Sequence, residues 1–341
     1  MSRGPRPRRE ALLLVVALGC GHSEPFATAP REPLGPPSTT LPRRLTFNAR
    51  SDLTPSVAGD TVVYSRVDAD RADGDRCLAF LPLEGGTLYR TLCARGALAD
   101  SVRDSWLYPA ISPDGRRVAF VRERLLYRAG TLLERTLVVA PLTAPDSAVV
   151  VVAGYELPGG GTSSGYRDVT WKDDQALRFL GGIEVSGGGE VEGFVARGVF
   201  EVALGGSQSG VPVAVPGLED AVAYAPGDDG AVYFIPRDST VAFRQADGAP
   251  AEVAARFGGS AEAPLIALTD MAASSGVVAV IGILVFPEVG TANQLLVADV
   301  ATGGPQTTLP LTVRPERLAG VPGLGRVIVE SAGDLWLVAV R

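Results

Sequence analysis

Four carboxylates crowd into eight residues at Asp68-Ala-Asp-Arg-Ala-Asp-Gly-Asp75, so Asp68, Asp70, Asp73 and Asp75 together offer oxygens to a hard cation. Oxygen-rich loops that turn on a glycine suit calcium. Against the EF-hand pattern the third aspartate is displaced by one and no glutamate follows at the required distance. A solvated acidic hairpin tip is the favoured reading and calcium the lesser one; no other cofactor is expected. A second set, Asp52, Asp104, Asp168, Asp220 and Asp270, recurs along the whole chain. If all five faced one channel they would form an acidic mouth for cations or basic peptides. Their spacing is uneven, and aspartate is a common turn residue, so turn chemistry is the favoured reading. The chain has a single histidine, His22. A Ser-His-Asp triad, a Cys-His pair and a His-ligated zinc site are thereby excluded from everything beyond the N-terminal segment.

The elements that must position these groups are short strands. Ser112-Pro113-Asp114-Gly115 has the residues of a type I turn, with proline fixing φ at the second position and glycine at the fourth. Tyr108 to Ile111 precedes it and Val118-Ala-Phe-Val121 follows, which predicts a hairpin whose second strand is apolar on both faces. Degraded copies recur at Pro55, Val169, Val222, Asp270 and Ala319, roughly 50 residues apart, the period of a propeller blade. A second hairpin follows each copy, spelled out most clearly after those at Pro55, Pro109 and Asp270. Four strands per unit make a blade. The last copy, ending in Asp334-Leu-Trp-Leu-Val-Ala-Val-Arg341, lacks a fourth strand, whereas Arg44-Leu-Thr-Phe-Asn48 precedes the first copy with no blade of its own. Lending that strand to the last unit closes the ring and removes a sheet edge. The expected fold is therefore all-β: a six-bladed β-propeller of four-stranded blades over residues 43–341, closed by an N-terminal strand.

Tyr108-Pro-Ala-Ile-Ser-Pro-Asp-Gly-Arg-Arg-Val-Ala-Phe120 resembles the repeat of TolB-type, WD-like β-propellers, and Arg44-Leu-Thr-Phe47 resembles that family's closing strand. The resemblance implies the fold and a binding surface with envelope protein or peptide partners. It implies no reaction, because function lives in sites grafted on folds.

Residues 1–19 read as a signal peptide. Arg3, Arg6, Arg8 and Arg9 precede the apolar run Ala11 to Leu18, which is too short to span a bilayer. Ala17-Leu-Gly-Cys20 resembles the bacterial lipobox, so Cys20 is expected to carry lipid and to hold the protein on a membrane. Gly21, where an aspartate is absent, favours the outer membrane if the host is diderm. Residues 20–42 are rich in proline, serine and threonine and read as a tether. Removing residues 1–19 takes away four arginines and one glutamate, moving the net charge from −7 to −10. An acidic chain of this kind argues against a nucleic-acid partner. Export also favours a disulfide between Cys77 and Cys93, which are symmetric about Gly85; two buried free thiols are the alternative.

Two further segments stand out. Arg122 to Arg135 predicts a long hairpin in which Arg122, Arg124, Leu126, Tyr127 and Arg128 either contact a partner or merely lengthen two strands. Gly181 to Gly193 reads as a mobile, glycine-rich acidic loop; it has no Gly-Lys-Ser/Thr ending to hold phosphate. Trp106, Trp171 and Trp336 are expected in blade packing. The functional expectation is a monomeric, membrane-anchored, non-catalytic binding propeller. The alternative is a metal-dependent hydrolase or lactonase-like enzyme that uses the channel carboxylates. A gating domain detached from a serine peptidase is a third reading. The chain is not itself such a peptidase, since no nucleophile motif is followed by an acid and a histidine.

Overall fold

The computed structural model describes residues 41–47, 51–67, 76–86, 88, 90–93, 102–126, 131–144, 147–153, 164–187, 190–205, 210–300 and 306–341. The expected signal segment, Cys20 and all four carboxylates of the 68–75 loop lie outside them, as do Tyr127 and Arg128.

Every regular element is a strand among the described residues. β1 (Arg43–Arg44) is followed by β2 (Asp52–Ala58), β3 (Thr61–Val67), β4 (Arg76–Pro82) and β5 (Arg90–Leu92). Next come β6 (Val102–Ile111), β7 (Arg117–Leu126), β8 (Thr131–Pro141) and β9 (Val149–Ala153). β10 (Ser164–Asp173), β11 (Ala176–Gly187), β12 (Glu190–Ala203) and β13 (Val213–Ala214) form one four-stranded sheet. β14 (Ala221–Pro226), β15 (Val232–Pro236), β16 (Val241–Gln245) and β17 (Glu252–Arg256) form another. A third contains β18 (Leu265–Ser274), β19 (Val277–Phe286), β20 (Gly290–Asp299) and β21 (Thr307–Leu309). The last is built from β22 (Arg317–Val321), β23 (Arg326–Ser331) and β24 (Asp334–Ala339), with β1 as its fourth strand. β2 to β9 make an eight-stranded sheet whose two halves are joined by one parallel pairing, Arg76 opposite Ser105.

The result is an all-β, propeller-like ring of small sheets. β2 lies against β6, β6 against β10, β10 against β14, β14 against β18, β18 against β22, and β22 back against β2. Between successive groups of strands sit apolar clusters. One joins Leu78, Phe80, Trp106 and Phe120; another joins Val62, Tyr64, Ile328 and Leu337 across the closure. Val118, Ala119, Phe120 and Val121 are fully buried, so β7 is covered on both faces, as its sequence requires.

Local chemistry explains the turns and the closure. Gly115 N donates to Ser112 O at 2.9 Å, and the Ser112 hydroxyl accepts from Arg117 N at 2.9 Å, stapling the β6–β7 turn. The Ser112 hydroxyl and Arg116 N–H both serve the Asp114 carboxylate and hold it below the ordinary carboxylate range. At the closure Arg43 stands opposite Leu337, Leu45 N donates to Leu335 O at 2.7 Å, and Arg44 Nη2 meets Asp334 Oδ2 at 2.6 Å.

Cys77 and Cys93 are joined by a disulfide with Cα atoms 4.6 Å apart, closing a loop with a sequence separation of 16. Loop-closure entropy for such a loop stabilises by about 3 kcal/mol. The Cys77→Ala/Cys93→Ala double variant is expected to unfold at correspondingly lower denaturant, and equilibrium urea titration of the oxidised wild type beside the variant measures it.

One expectation changes. The described residues of Gly181 to Gly193 are paired strand where a mobile loop was expected: β11 and β12 pair from Ala176↔Ala203 out to Gly187↔Glu190. The valines and isoleucine spaced between its glycines supply the strand propensity, and an antiparallel partner supplies the hydrogen bonds. In the Arg122–Arg135 hairpin, Arg122 and Arg124 point into the sheet's own charges. Both pair with Glu134, at 3.2 and 3.3 Å, and Arg124 also lies 3.8 Å from Asp104. The backbone of Leu126 ends β7, opposite Thr131.

Candidate functional site

β2, β6, β10, β14, β18 and β22 line a cavity of about 260 Å³ inside the ring. Three of them reach it through a similar device. The β2–β3 register slips between Leu53 and Ser56, the β6–β7 register between Leu107 and Ala110, and the β10–β11 register between Arg167 and Thr170. In each slip one non-glycine residue adopts a left-handed backbone, with φ of 51° at Thr54, Tyr108 and Asp168. Such residues are uncommon, and bulges re-aim side chains next to sites. Here they turn a threonine, a tyrosine and an aspartate towards one axis.

A single guanidinium ties the cavity together. Arg317, the first residue of β22, donates from Nη1 to Asp168 Oδ1 at 2.9 Å and from Nη2 to the Tyr108 hydroxyl at 3.4 Å. The paired side chains of Arg317 and Asp168 are each 22% exposed, so the pair faces the cavity. Behind it, Asp270 accepts from Met271 N at 2.9 Å and Leu318 N at 2.8 Å, one amide on each oxygen. Glu330 accepts from Thr54 N at 2.7 Å, and the Thr54 hydroxyl accepts from Tyr108 N at 3.0 Å. The Tyr224 hydroxyl donates to Asp168 O at 2.5 Å and lies 3.0 Å from the Thr170 hydroxyl. At the rim Asp228 Oδ2 accepts from Ser275 N and Gly323 N, at 2.7 and 2.9 Å, tying two neighbouring turns.

The electrostatics follow from burial and an excess of acids over the one cation. Burial first, then the negative charge of Asp168, pushes the Asp270 carboxyl up; Arg317 and the two amides oppose this. Burial raises the Glu330 carboxyl to about 7, against the pull of Thr54 N–H and Arg317. Burial works against the Arg317 charge, but Tyr108, Asp168, Asp270 and Glu330 hold its pKa above the ordinary value. Tyr108 and Tyr224 are raised by burial and stay protonated at neutral pH.

Of the five aspartates weighed for a channel mouth against turn chemistry, Asp168 and Asp270 line this cavity. Asp52 and Asp104 are buried elsewhere, Asp104 accepting from Trp106 Nε1 at 3.0 Å, and Asp220 is exposed ahead of β14. They do not form a ring, because each sits at a different offset from its strand's bulge. Arg317, Glu330, Tyr224, Thr54 and Thr170 were not singled out from sequence. The signal for Thr54 was present: Thr54, Tyr108 and Asp168 each precede a repeat anchor, Pro55, Pro109 or Val169. Trp106 packs on Phe120 with ring centres 4.6 Å apart, and Trp171 donates to Ala110 O at 2.9 Å, both as parts of the sheets.

No protein-family model and no curated protein sequence matches the chain. Among solved structures, virginiamycin B lyase from Staphylococcus aureus aligns at 13% identity with a TM-score of 0.49, over 87% of this chain and 97% of that one. A protein of unknown function from Bacteroides thetaiotaomicron aligns at 11% identity and a TM-score of 0.49, over 87% of this chain and 72% of that one. A prolyl endopeptidase aligns at 15% identity and a TM-score of 0.44, over 82% of this chain and 45% of that one.

Proposed function

We propose that this chain is an exported, lipid-anchored propeller that binds a protein or peptide of the cell envelope at its axis and performs no catalysis. The single parallel pairing in the eight-stranded sheet supports dividing it into two blades, β2–β5 and β6–β9, for six in all. A signal peptide over residues 1–19, lipid on Cys20 and a tether to residue 42 would hold the ring at a membrane, the outer one in a diderm cell.

The observation that carries the binding reading is how the cavity carboxylates are held. A metal-dependent hydrolase would need them free to ligate or to move protons. Instead Asp270 gives both oxygens to backbone amides, Asp228 bridges two turns, and Asp168 grips Arg317. What remains accessible is an ion pair set among proline, valine and alanine side chains, including Pro55, Pro226 and Pro322. A few polar groups within an apolar concavity orient a bound segment. The test is cross-linking of the C-terminally tagged full chain in its native cells, followed by mass spectrometry. A recurrent envelope partner is expected, with recovery reduced about tenfold in Asp168→Asn. A partner-free chain, or equal recovery with the variant, overturns the proposal.

A further inference from the structure

The cavity inside the ring is lined by three acids, Asp168, Asp228 and Asp270, and by one base, Arg317. Glu330 stands behind the wall, 5% exposed, and its negative charge also acts on Arg317. The neighbouring cation Arg167 does not line the cavity; its guanidinium carbon lies 4.2 Å from the centre of the Phe194 ring. Burial pushes the Asp270 carboxyl up, so it holds its proton more readily than an ordinary aspartate. Asp168 and Asp228 against Arg317 still leave the lining negative. A concave site with an excess of one sign and low-dielectric walls focuses its field, here in favour of cations.

Charge becomes recognition only where a carboxylate oxygen can be reached, and Asp168 offers one. Its Oδ1 accepts from Arg317 Nη1 at 2.9 Å, whereas no described residue donates to its Oδ2. The side chain lines the cavity and is 22% exposed, so a ligand can meet it. An ionised carboxylate has about four lone-pair sites, which leaves room for a second donor beside Arg317. Asp228, exposed at the rim, is built alike. Its Oδ2 takes the Ser275 and Gly323 amides, and no described residue donates to its Oδ1. Among the described residues no three acids gather closely enough to hold a metal ion. The wall between the acids is apolar, through Pro55, Pro226 and Met271. A basic side chain suits such a wall, because its stem is apolar and only its head is charged.

We propose that the axial cavity recognises a basic side chain, lysine or arginine, of the peptide it binds, with the head group donating to Asp168 Oδ2 and the stem lying along the prolines of the wall. A charged hydrogen bond of this kind is stronger than a neutral one. An acidic side chain is disfavoured, since it would meet the excess carboxylates and find Arg317 already held by Asp168. The proposal rests on the reading that a peptide binds at the axis, and adds which residue that peptide must present.

The experiment uses the full chain and a random dodecapeptide library displayed on phage. An enriched peptide is synthesised with both ends blocked, and hydrogen exchange locates it on the protein. The enriched peptides are expected to share a lysine or arginine and to slow exchange in residues 54–57 and 168–170, which line the cavity. Replacing that residue by an uncharged isostere, citrulline for arginine or norleucine for lysine, should weaken binding about tenfold. On Asp168→Asn the charged and uncharged peptides should bind within about twofold of each other. Asp228→Asn keeps one oxygen for the Ser275 and Gly323 amides and should shrink the preference about threefold, so the test survives should Asp168→Asn fold poorly. Peptides that protect the cavity walls without a basic residue, or that bind equally well with the uncharged isostere, overturn the proposal and leave axial binding standing. A basic preference unchanged in both aspartate variants overturns it too. No enrichment, or peptides that leave those walls unprotected, overturn it together with the axial reading.

Discussion

Replacing Arg317 with methionine is expected to destabilise the protein by about 3–5 kcal/mol at pH 8, the usual cost of removing one partner from a buried charge cluster. Methionine keeps most of the volume, so the loss reports charge and not packing. Three carboxylates depend on this one cation: Asp168 directly, and Asp270 and Glu330 through its field. Two of them are nearly inaccessible to water, Asp270 at 7% and Glu330 at 5% exposure, and cannot recover solvation in place. The same substitution should matter less at pH 5.5, where Asp270 and Glu330 hold protons in the fold and need less compensation. Arg317→Lys should recover part of the loss, since it keeps the charge without the forked reach to Asp168 and Tyr108. Urea unfolding of the three proteins at the two pH values measures this. A loss below about 1 kcal/mol at both would mean that the carboxylates do not depend on Arg317.

The second large effect is the pH dependence of stability carried by Glu330. Its carboxyl titrates near 7 in the fold, above the ordinary glutamate range it regains on unfolding. The native state therefore binds a proton that the unfolded state releases. This contribution is present in full below the ordinary range, is lost as pH rises towards 7, and levels off above it. Across that window the slope is about 1.4 kcal/mol per pH unit. Glu330→Gln has no such proton and its remaining amide oxygen can still accept from Thr54 N. The difference in stability between wild type and Glu330→Gln should therefore fall with pH from 5 to 7 and flatten by 8. Denaturant titrations at pH 5, 6, 7 and 8 give that difference directly, and a constant value across the series would contradict the account. Asp270 contributes in the same direction, because burial and Asp168 raise it as well.

How far the sequence foretells this arrangement depends on whether the information is local. The Ser112-Pro-Asp-Gly115 turn and the buried Val118–Val121 strand are encoded in adjacent residues, and both are legible. So is the closure, because Arg44 to Phe47 reads as a strand with no partner near it in the chain and the last hairpin arm lacks one, although the paired strand β1 is only Arg43–Arg44. The cysteine pair is legible because a hairpin turn at Gly85 makes its register countable. The candidate site is legible only in fragments. Tyr108 and Asp168 sit in recognisable repeats, but Arg317 lies 149 residues from Asp168, and nothing around Arg314-Pro-Glu-Arg317 announces that pairing. Asp52, Asp104 and Asp220 lie away from the axis for a related reason. A bulge shifts which side of a strand each residue occupies, so aspartates at similar intervals need not share an axis. Gly181 to Gly193 misleads because glycine content signals a loop, whereas the partner strand from Glu190 overrides it.

Binding of a partner at the axial cavity, as proposed above, is open to hydrogen exchange of the full chain with and without the partner recovered by cross-linking. Slowed exchange is expected in residues 54–57, 168–170 and 317–322, the cavity walls, with loss of that protection in Asp168→Asn. Protection confined to the outer strands of the sheets, with the cavity walls unchanged, would contradict it.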